Sequence, residues 1–199
     1  HLRHINEDLA QRVADGLGIA VLPQKPNAAT TVQAMRPSPA LQIIGKMKDT
    51  LKGRSVGILI AEGSDAAAID AIRKAAHVAG ATVKLVALKI GETKLTGGKS
   101  AVVEHQLAGT PSIVFDAVAV ILADEGAKLL AKEGAAVEFV RDAFGHLKAI
   151  AVDEGAKKLL KAAGVKADAF VVDAADPKKF IAAAKSRRWA REPLVRTLP

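Results

Sequence analysis

Four apolar segments of the chain are followed directly by acidic residues, as happens when carboxylates stand at the ends of strands. The acids form four groups: Glu62 with Asp65, Asp124 with Glu125, Asp153 with Glu154, and Asp173 with Asp176. In a parallel sheet the four strand ends share one edge, where open α/β proteins bind their ligands. Converging carboxylates there could bind Mg²⁺, or perform acid–base catalysis with one raised pKa.

The same acids have a structural interpretation, because each group also stands where a helix is predicted to begin. A carboxylate at a helix N-terminus accepts hydrogen bonds from unpaired N–H groups and opposes the helix dipole, for roughly 0.5–2 kcal/mol. Acids stand at a predicted helix start in all four loops, and this repetition favours capping over catalysis. We therefore expect Asp124 and Glu125 to be capping groups, and we assign no catalytic, cofactor-binding or metal-binding residue.

Two other patterns resemble functional sites. The stretch "KLTGGKS", Lys94–Ser100, looks like the end of a phosphate-binding loop. However, Thr93 stands where that loop requires glycine, and a β-like segment follows it in place of a helix, so we predict a glycine turn. Ser64 is predicted to be the N-cap of a helix over Asp65–Ala79. The five histidines are His1, His4, His77, His105 and His146. Apart from His1 and His4, they lack the spacing of metal ligands, and none has a neighbouring nucleophile.

The composition indicates one domain with an aliphatic core and additional segments. The chain has 199 residues, of which 50% are hydrophobic and 3% aromatic, with no Tyr and no Cys. The absence of Cys excludes disulfides, thiolate metal sites and a cysteine nucleophile. No apolar run approaches the roughly 18 residues of a membrane helix, and no secretory signal opens the chain. We expect a cytoplasmic protein whose natural N-terminus lies upstream of His1.

The net charge of +8 raises the question of a nucleic-acid partner. The densest basic run is "KSRRWAREPLVR", Lys185–Arg196, whereas most other lysines follow Asp or Glu along predicted helices. A basic terminal helix carrying Trp189 could stack on a base. A solvated helix anchored by Trp189 is the favoured interpretation, so nucleic acid is not the expected partner. A binding module for some other anionic partner remains an alternative.

The first 52 residues are predicted to form a helical segment and a linker. Residues 5–18 have a helix-start signal at Asn6, and Leu9, Val13 and Leu17 fall on one face. Residues 23–52 are rich in proline and small polar residues, which is typical of an extended linker. A short helix is predicted within it from Ser38 through Leu51; its apolar stripe consists of Leu41, Ile44, Met47 and Leu51.

Residues 53–191 alternate between continuous apolar strands and helices. The predicted strands lie in "RSVGILIAEG", "ATVKLVALKI", "DAVAVILADEG", "AIAVDEG" and "AFVVDAAD", with an irregular excursion after the second. Strands of this kind belong to a parallel sheet covered on both faces. The predicted fold is an α/β, flavodoxin-like, doubly wound parallel sheet, followed by a tail at 192–199.

The order of these segments resembles the C-terminal part of large-subunit (long-chain) catalases. "HLRHINEDLAQRVADGLG" is similar to the last helix of their haem core, so residues 1–22 would be the end of that helical region. A proline-containing linker follows, and then "LKGRSVGILIAEGSDAAAIDAIRKAAHVAGATVKLVA" resembles the opening of their flavodoxin-like C-terminal domain. "TPSIVFDAVAVI", "DAFGHLKAIAV" and "FIAAAKSRRWAREP" continue the similarity to the end of the chain.

The resemblance implies a haem-containing, hydrogen-peroxide-degrading homotetramer as the parent protein, with the catalase core domain as the partner of this chain. Two departures limit what the chain itself can do. Catalase haem is held by a Tyr, and the chain has none. The family's C-terminal domain is also related to the class I amidotransferase and DJ-1-like fold, whose nucleophilic Cys is absent from the corresponding turn, Ala123–Gly126, although Glu62 could match the acid.

We therefore expect a non-catalytic accessory domain without a cofactor of its own, the haem being bound by the parent. It would add stability, control access to the haem, or protect unfolded client proteins as a chaperone, for which Leu41, Ile44, Met47 and Leu51 could supply apolar surface. Two alternatives stay open. One is a DJ-1-like or metal-dependent enzyme that uses the acidic strand ends, and the other is the binding module for an anionic partner.

Overall fold

The computed structural model describes residues 1–25, 27 and 35–195. The chain forms two compact units, His1–Ile43 and Ile44–Pro199. The first contains two helices, α1 (Leu2–Ile5) and α2 (Glu7–Gly16). The predicted cap is confirmed, because Asn6 Oδ1 accepts a hydrogen bond of 3.0 Å from the Leu9 amide. The predicted apolar face is largely exposed, and Ala10 and Ala14 are the buried residues of α2.

The helix predicted from Ser38 through Leu51 is wrong. The structure has only turns and bends over these residues, and Gly45 has a φ of +81°, which a continuing right-handed helix does not allow. Leu51 is 1% exposed and belongs to the core of the second unit, whereas Leu41 is 82% exposed, so the predicted stripe is not one surface. The parts of the predicted linker at residue 26 and residues 28–34 lie outside the described residues.

The second unit is built on a parallel sheet and a small antiparallel hairpin. Its strands are β1 (Ser55–Ile60), β2 (Thr82–Ala87), β3 (Gly91–Lys94), β4 (Ser100–Val103), β5 (His105–Gln106), β6 (Ala117–Ile121), β7 (Ile150–Val152) and β8 (Val171–Asp173). The six-stranded sheet has the order β5-β2-β1-β6-β7-β8 with every pair parallel. Strands β3 and β4 pair with each other in the antiparallel direction.

Helices connect the parallel strands and cover the sheet. They are α3 (Ala66–Val78), α4 (Asp124–Leu130), α5 (Gly134–Gly145), α6 (Lys157–Ala162), α7 (Pro177–Ala184) and α8 (Glu192–Val195). The central strands β1 and β6 are almost entirely buried, since apolar clusters pack on both faces of the sheet. One cluster includes Leu59 and Phe139, and the other includes Ile58 and Phe180. The predicted flavodoxin-like, doubly wound fold is confirmed.

The predicted domain boundaries at residues 22, 52 and 191 remain predictions. The predicted tail begins with α8, and its last four residues, 196–199, lie outside the described residues. Within the described ranges, no helix combines the length and the apolar character needed to cross a bilayer.

Candidate functional site

The carboxyl ends of β1 and β6 are where this sheet topology would place a ligand-binding site. The chain leaves β1 toward β2 on one side of the sheet, and leaves β6 toward β7 on the other. Doubly wound proteins bind ligands in the crevice that such a reversal opens. The two loops in question are residues 61–65, which lead to α3, and residues 122–123, which lead to α4.

Ser64 joins these two loops. Its side chain is fully buried, and its Oγ donates to the Ile121 carbonyl oxygen at 2.6 Å and accepts from the Ala61 amide at 2.9 Å. The prediction of Ser64 as the helix cap is wrong, because Asp65 caps α3 by accepting from the Ala67 and Ala68 amides. The acceptor of the Ser64 hydroxyl, the Ile121 carbonyl oxygen, lies 57 residues away in the chain. Local sequence therefore contains no signal that Ser64 joins the two loops.

The β3–β4 hairpin covers the β1 loop. The Gly63 amide donates to the Lys94 carbonyl oxygen at 2.9 Å, and the Thr96 amide donates to the Ser64 carbonyl oxygen at 3.0 Å. The Thr96 hydroxyl accepts from the Ala66 amide at 3.0 Å, so the hairpin satisfies a donor in the first turn of α3. "KLTGGKS" is the turn of this hairpin, as predicted, and its backbone makes contacts within the protein.

Close packing surrounds two glycines near the turn after β6. A Cβ on Gly126 would lie 2.7 Å from the Ala61 Cβ, and a Cβ on Gly155 would overlap the Leu122 carbonyl oxygen. Both glycines are needed because neighbouring chain segments approach too closely for any side chain. The turn that corresponds to the nucleophile turn of the related fold is therefore packed at its base against backbone and small residues, while Asp124 and Glu125 on it are exposed.

Asp124 and Glu125 do not cap α4, and that prediction is wrong. Ala123 occupies the N-cap position without a side-chain hydrogen bond. Asp124 is exposed and pairs with Lys158 at 2.8 Å, and Glu125 pairs with Lys128 at 2.6 Å. The hydrogen bond from Lys158, with its charge, lowers the pKa of Asp124. Both carboxylates still lie in the first turn of α4, where they oppose the helix dipole.

Asp153 joins two loops at this edge of the sheet. Its carboxylate accepts from the Leu122 amide at 2.8 Å and the Ala156 amide at 2.9 Å, which links the β6 loop to the turn before α6. Burial raises the pKa of Asp153, and these hydrogen bonds only partly oppose that effect. The negative charge of Asp65 adds to this increase in the pKa of Asp153.

Three of the remaining acids at this edge, Asp173, Asp176 and Glu154, also make local contacts. Asp173 accepts from the Ala175 amide at 2.9 Å, and Asp176 caps α7 through the Lys179 amide at 3.0 Å, as predicted. Glu154 pairs with Lys157, and Glu62 is exposed. Across the described ranges, His, Asp and Glu form no group of three or more that could hold a metal ion.

A cavity of about 390 Å³ lies beside this edge, between the ends of β7 and β8 and helix α6. Its wall is mainly apolar and includes Val152, Leu160 and Val171. Asp153 and Asp173 also line it, but both carboxylates already accept backbone hydrogen bonds. The geometry therefore offers an apolar hollow rather than a set of carboxylates available for catalysis.

Residues 185–191 of the basic C-terminal run are folded into the domain, and the predicted solvated helix is wrong. Helix α7 ends at Ala184, and Trp189–Arg191 form a 3₁₀ turn with Trp189 half-buried. Arg191 is 1% exposed and donates to both carboxylate oxygens of Asp168 at 2.7 Å. It also donates to the Lys148 carbonyl oxygen at 2.7 Å. Local sequence does not reveal that Arg191 is buried and paired, because Asp168 and Lys148 lie 23 and 43 residues away in the chain.

A comparison of two carboxylates tests the structural interpretation of the acidic edge. Asp153→Ala is expected to lower the free energy of unfolding by about 1–2 kcal/mol, because two backbone amides lose their acceptor. Asp124→Ala is expected to change it much less, since an exposed ion pair contributes little. Urea denaturation of both variants measures the difference. Asp153→Asn keeps one acceptor oxygen and should recover part of the lost unfolding free energy. Equal effects of Asp153→Ala and Asp124→Ala would contradict the structural role assigned to Asp153.

Comparison with known proteins agrees with this description. Residues 52–188 match the family described as the C-terminal domain found in long catalases. The chain is 36% identical to catalase C of Rhizobium meliloti over 203 residues, covering 98% of this chain and 29% of that protein. It is 32% identical to catalase HPII of Pseudomonas putida, covering 100% of this chain and 28% of that protein. The chain thus spans less than a third of the length of these relatives.

Solved structures show a similar fold at low sequence identity. A two-domain protein of Anabaena variabilis with DJ-1/ThiJ/PfpI-like and ferritin-like domains is 18% identical, with a TM-score of 0.53 over 58% of this chain and 34% of that chain. Oxidized DJ-1 of Toxoplasma gondii is 17% identical, with a TM-score of 0.50 over 56% of this chain and 61% of that chain. With the match over residues 52–188, the chain belongs to the family of C-terminal domains of long catalases.

Proposed function

We propose that this chain is a non-catalytic accessory domain of a haem catalase that decomposes hydrogen peroxide. The internal packing at the base of the crevice between the ends of β1 and β6 is the observation that carries the proposal. Ser64, the β3–β4 hairpin and the close contact at Gly126 occupy the position where a doubly wound enzyme holds its ligand. The membership in the catalase C-terminal family supports the identity of the parent.

The residues of this chain do not fit a haem site of the catalase type. Catalase haem iron is held by a Tyr, and the chain contains neither Tyr nor Cys. The haem is therefore assigned to the rest of the parent protein, and no step of peroxide decomposition is assigned to residues 1–199. Apart from the exposed Glu62, the acids at the carboxyl edge make hydrogen bonds or ion pairs within the fold, which counts against a metal-dependent or DJ-1-like enzyme.

The accessory role we propose is to stabilise the parent, to control access to its haem, or to protect unfolded proteins. Several large apolar side chains are exposed before the sheet, including Leu41, Ile43 and Ile44. Such surface suits contact with the catalase core domain, with another subunit of a homotetramer, or with client proteins. The inward-facing Arg191 counts against the alternative of a basic module for an anionic macromolecule. We place the assembled protein in the cytoplasm.

Removal of residues 44–199 from the parent catalase tests this function. The truncated protein is expected to keep its haem and its turnover per haem, because the deleted part contributes no reacting group. Its activity should decay several-fold faster on heating if the domain stabilises the parent. A changed KM for peroxide would indicate control of access, and increased light scattering on heating would indicate protection.

The isolated chain is the matched control and should show no peroxide turnover. Loss of turnover in a truncated protein that is folded and haem-loaded would contradict the non-catalytic assignment. Unchanged thermal decay, KM and scattering would contradict the accessory roles.

A further inference from the structure

A second cavity, of about 220 Å³, lies at the opposite edge of the sheet, where β6 and β7 begin. Phe115 and Lys148 form its floor, since both are buried, and Ile113 and Val114 are exposed at its rim. Asp116 and Arg187 also line it. The cavity is thus a small hollow, open to solvent, with charged groups at its base and side.

Lys148 lines this cavity and has unused hydrogen-bonding capacity. Its side chain is 3% exposed, and its Nζ donates to the Ser112 carbonyl oxygen at 2.7 Å. An ammonium group has three donors, and within the described part of the chain this is its one acceptor. Burial, followed by repulsion from Arg187, lowers the pKa of Lys148 to about 8, although Asp116 and Asp142 act to raise it. A buried ammonium in this position gains stability from any anion that reaches it.

Asp116 does not neutralise both cations that line the cavity. One of its carboxylate oxygens accepts from the Ser55 amide at 2.9 Å, and the other lies 3.8 Å from Arg187 Nη2. Arg187 Nη1 donates to the Asp116 carbonyl oxygen at 2.9 Å. The described residues that line the cavity thus include two cations, Lys148 and Arg187, one carboxylate that is already hydrogen-bonded, Asp116, and His146. Asp142 acts on Lys148 from α5 but does not line the cavity, so the lining cations outnumber the lining carboxylate.

We propose that this cavity binds a small oxyanion, with Lys148 as its main hydrogen-bond donor and Arg187 as the second cation. A volume of about 220 Å³ accommodates an ion of the size of phosphate or a short carboxylate, but not a nucleotide. Charge-assisted hydrogen bonds of this kind are short and strong, especially where water is partly excluded. The site is independent of the accessory function, because it lies at the opposite sheet edge from the crevice between β1 and β6.

Calorimetric titration of the full chain with inorganic phosphate, and separately with acetate, tests the proposal at constant ionic strength made up with chloride. At least one of the two anions is expected to bind saturably. Lys148→Met should weaken that binding by roughly tenfold or more, as the loss of a charged hydrogen bond does. Arg187→Gln should weaken it less. Lys132→Met removes the same charge from an exposed position after α4 and is the matched control.

A second readout separates binding from a change in folding. The pKa of Lys148, followed by NMR of its side chain, should rise when the anion is added, because the anion favours the charged form. Binding by phosphate alone or by acetate alone assigns the class of oxyanion. If neither anion binds, if Lys148→Met and Lys132→Met bind equally well, or if the pKa of Lys148 does not move, the proposal is wrong.

Discussion

Arg191→Ala is expected to lower the free energy of unfolding by roughly 3–5 kcal/mol, the usual cost of removing one partner from a buried ion pair. The Arg191 guanidinium donates to both oxygens of Asp168 and to the Lys148 carbonyl oxygen, and it lies 4.1 Å from the centre of the Phe144 ring. Alanine would leave Asp168 and this carbonyl without their donor and would open a cavity beneath Phe144. Urea denaturation monitored by circular dichroism measures the change.

Arg188→Ala is the matched control for this substitution. Arg188 approaches the same carboxylate at 3.8 Å, but its side chain is partly exposed. Replacing Arg188 should lower the free energy of unfolding much less than replacing Arg191. Burial raises the pKa of Asp168, but hydrogen bonds from Arg191 and from the Phe170 amide outweigh that effect and hold this pKa below its ordinary value. Similar losses of unfolding free energy in the two arginine variants would show that the buried contacts of Arg191 stabilise the protein no more than the partly exposed contacts of Arg188.

The stability of the protein is expected to rise with pH between about 8 and 10.5, by roughly 3 kcal/mol from Lys148 alone. In this range the folded protein has released the Lys148 proton, whereas the unfolded chain still binds it. The unfolded state therefore binds more protons, so the free energy of unfolding increases with pH. Below about pH 8 both states are protonated and this contribution is constant.

Lys148→Met should remove this increase, because methionine has a similar volume and no titrating group. Urea denaturation across the pH range, in chloride buffers without phosphate or carboxylate, measures the slope for each variant. Lys132→Met should keep the wild-type slope, since Lys132 is exposed. A wild-type slope in Lys148→Met would show that another group causes the pH dependence.

The sequence predicted those features that depend on neighbouring residues. Asn6 caps α2 and Asp176 caps α7 because each side chain reaches amides only three residues ahead. The apolar strand segments predicted the parallel sheet, because a strand buried on both faces must be apolar throughout. An equally local pattern failed in the segment from Ser38 through Leu51, where no helix forms and Leu51 packs into the core of the second unit.

The sequence by itself determined the alternation of strands and helices, the fold class and the absence of a nucleophilic Cys or a haem-binding Tyr. Only the tertiary structure decided which polar groups are buried and what they contact. Asp124 and Asp153 stand in almost identical stretches, yet one pairs with an exposed lysine and the other accepts two backbone amides. Arg191 and Lys148 similarly meet partners 23 and 36 residues away. Local sequence encodes caps and periodicity, whereas burial and charge pairing depend on chain segments that only folding brings together.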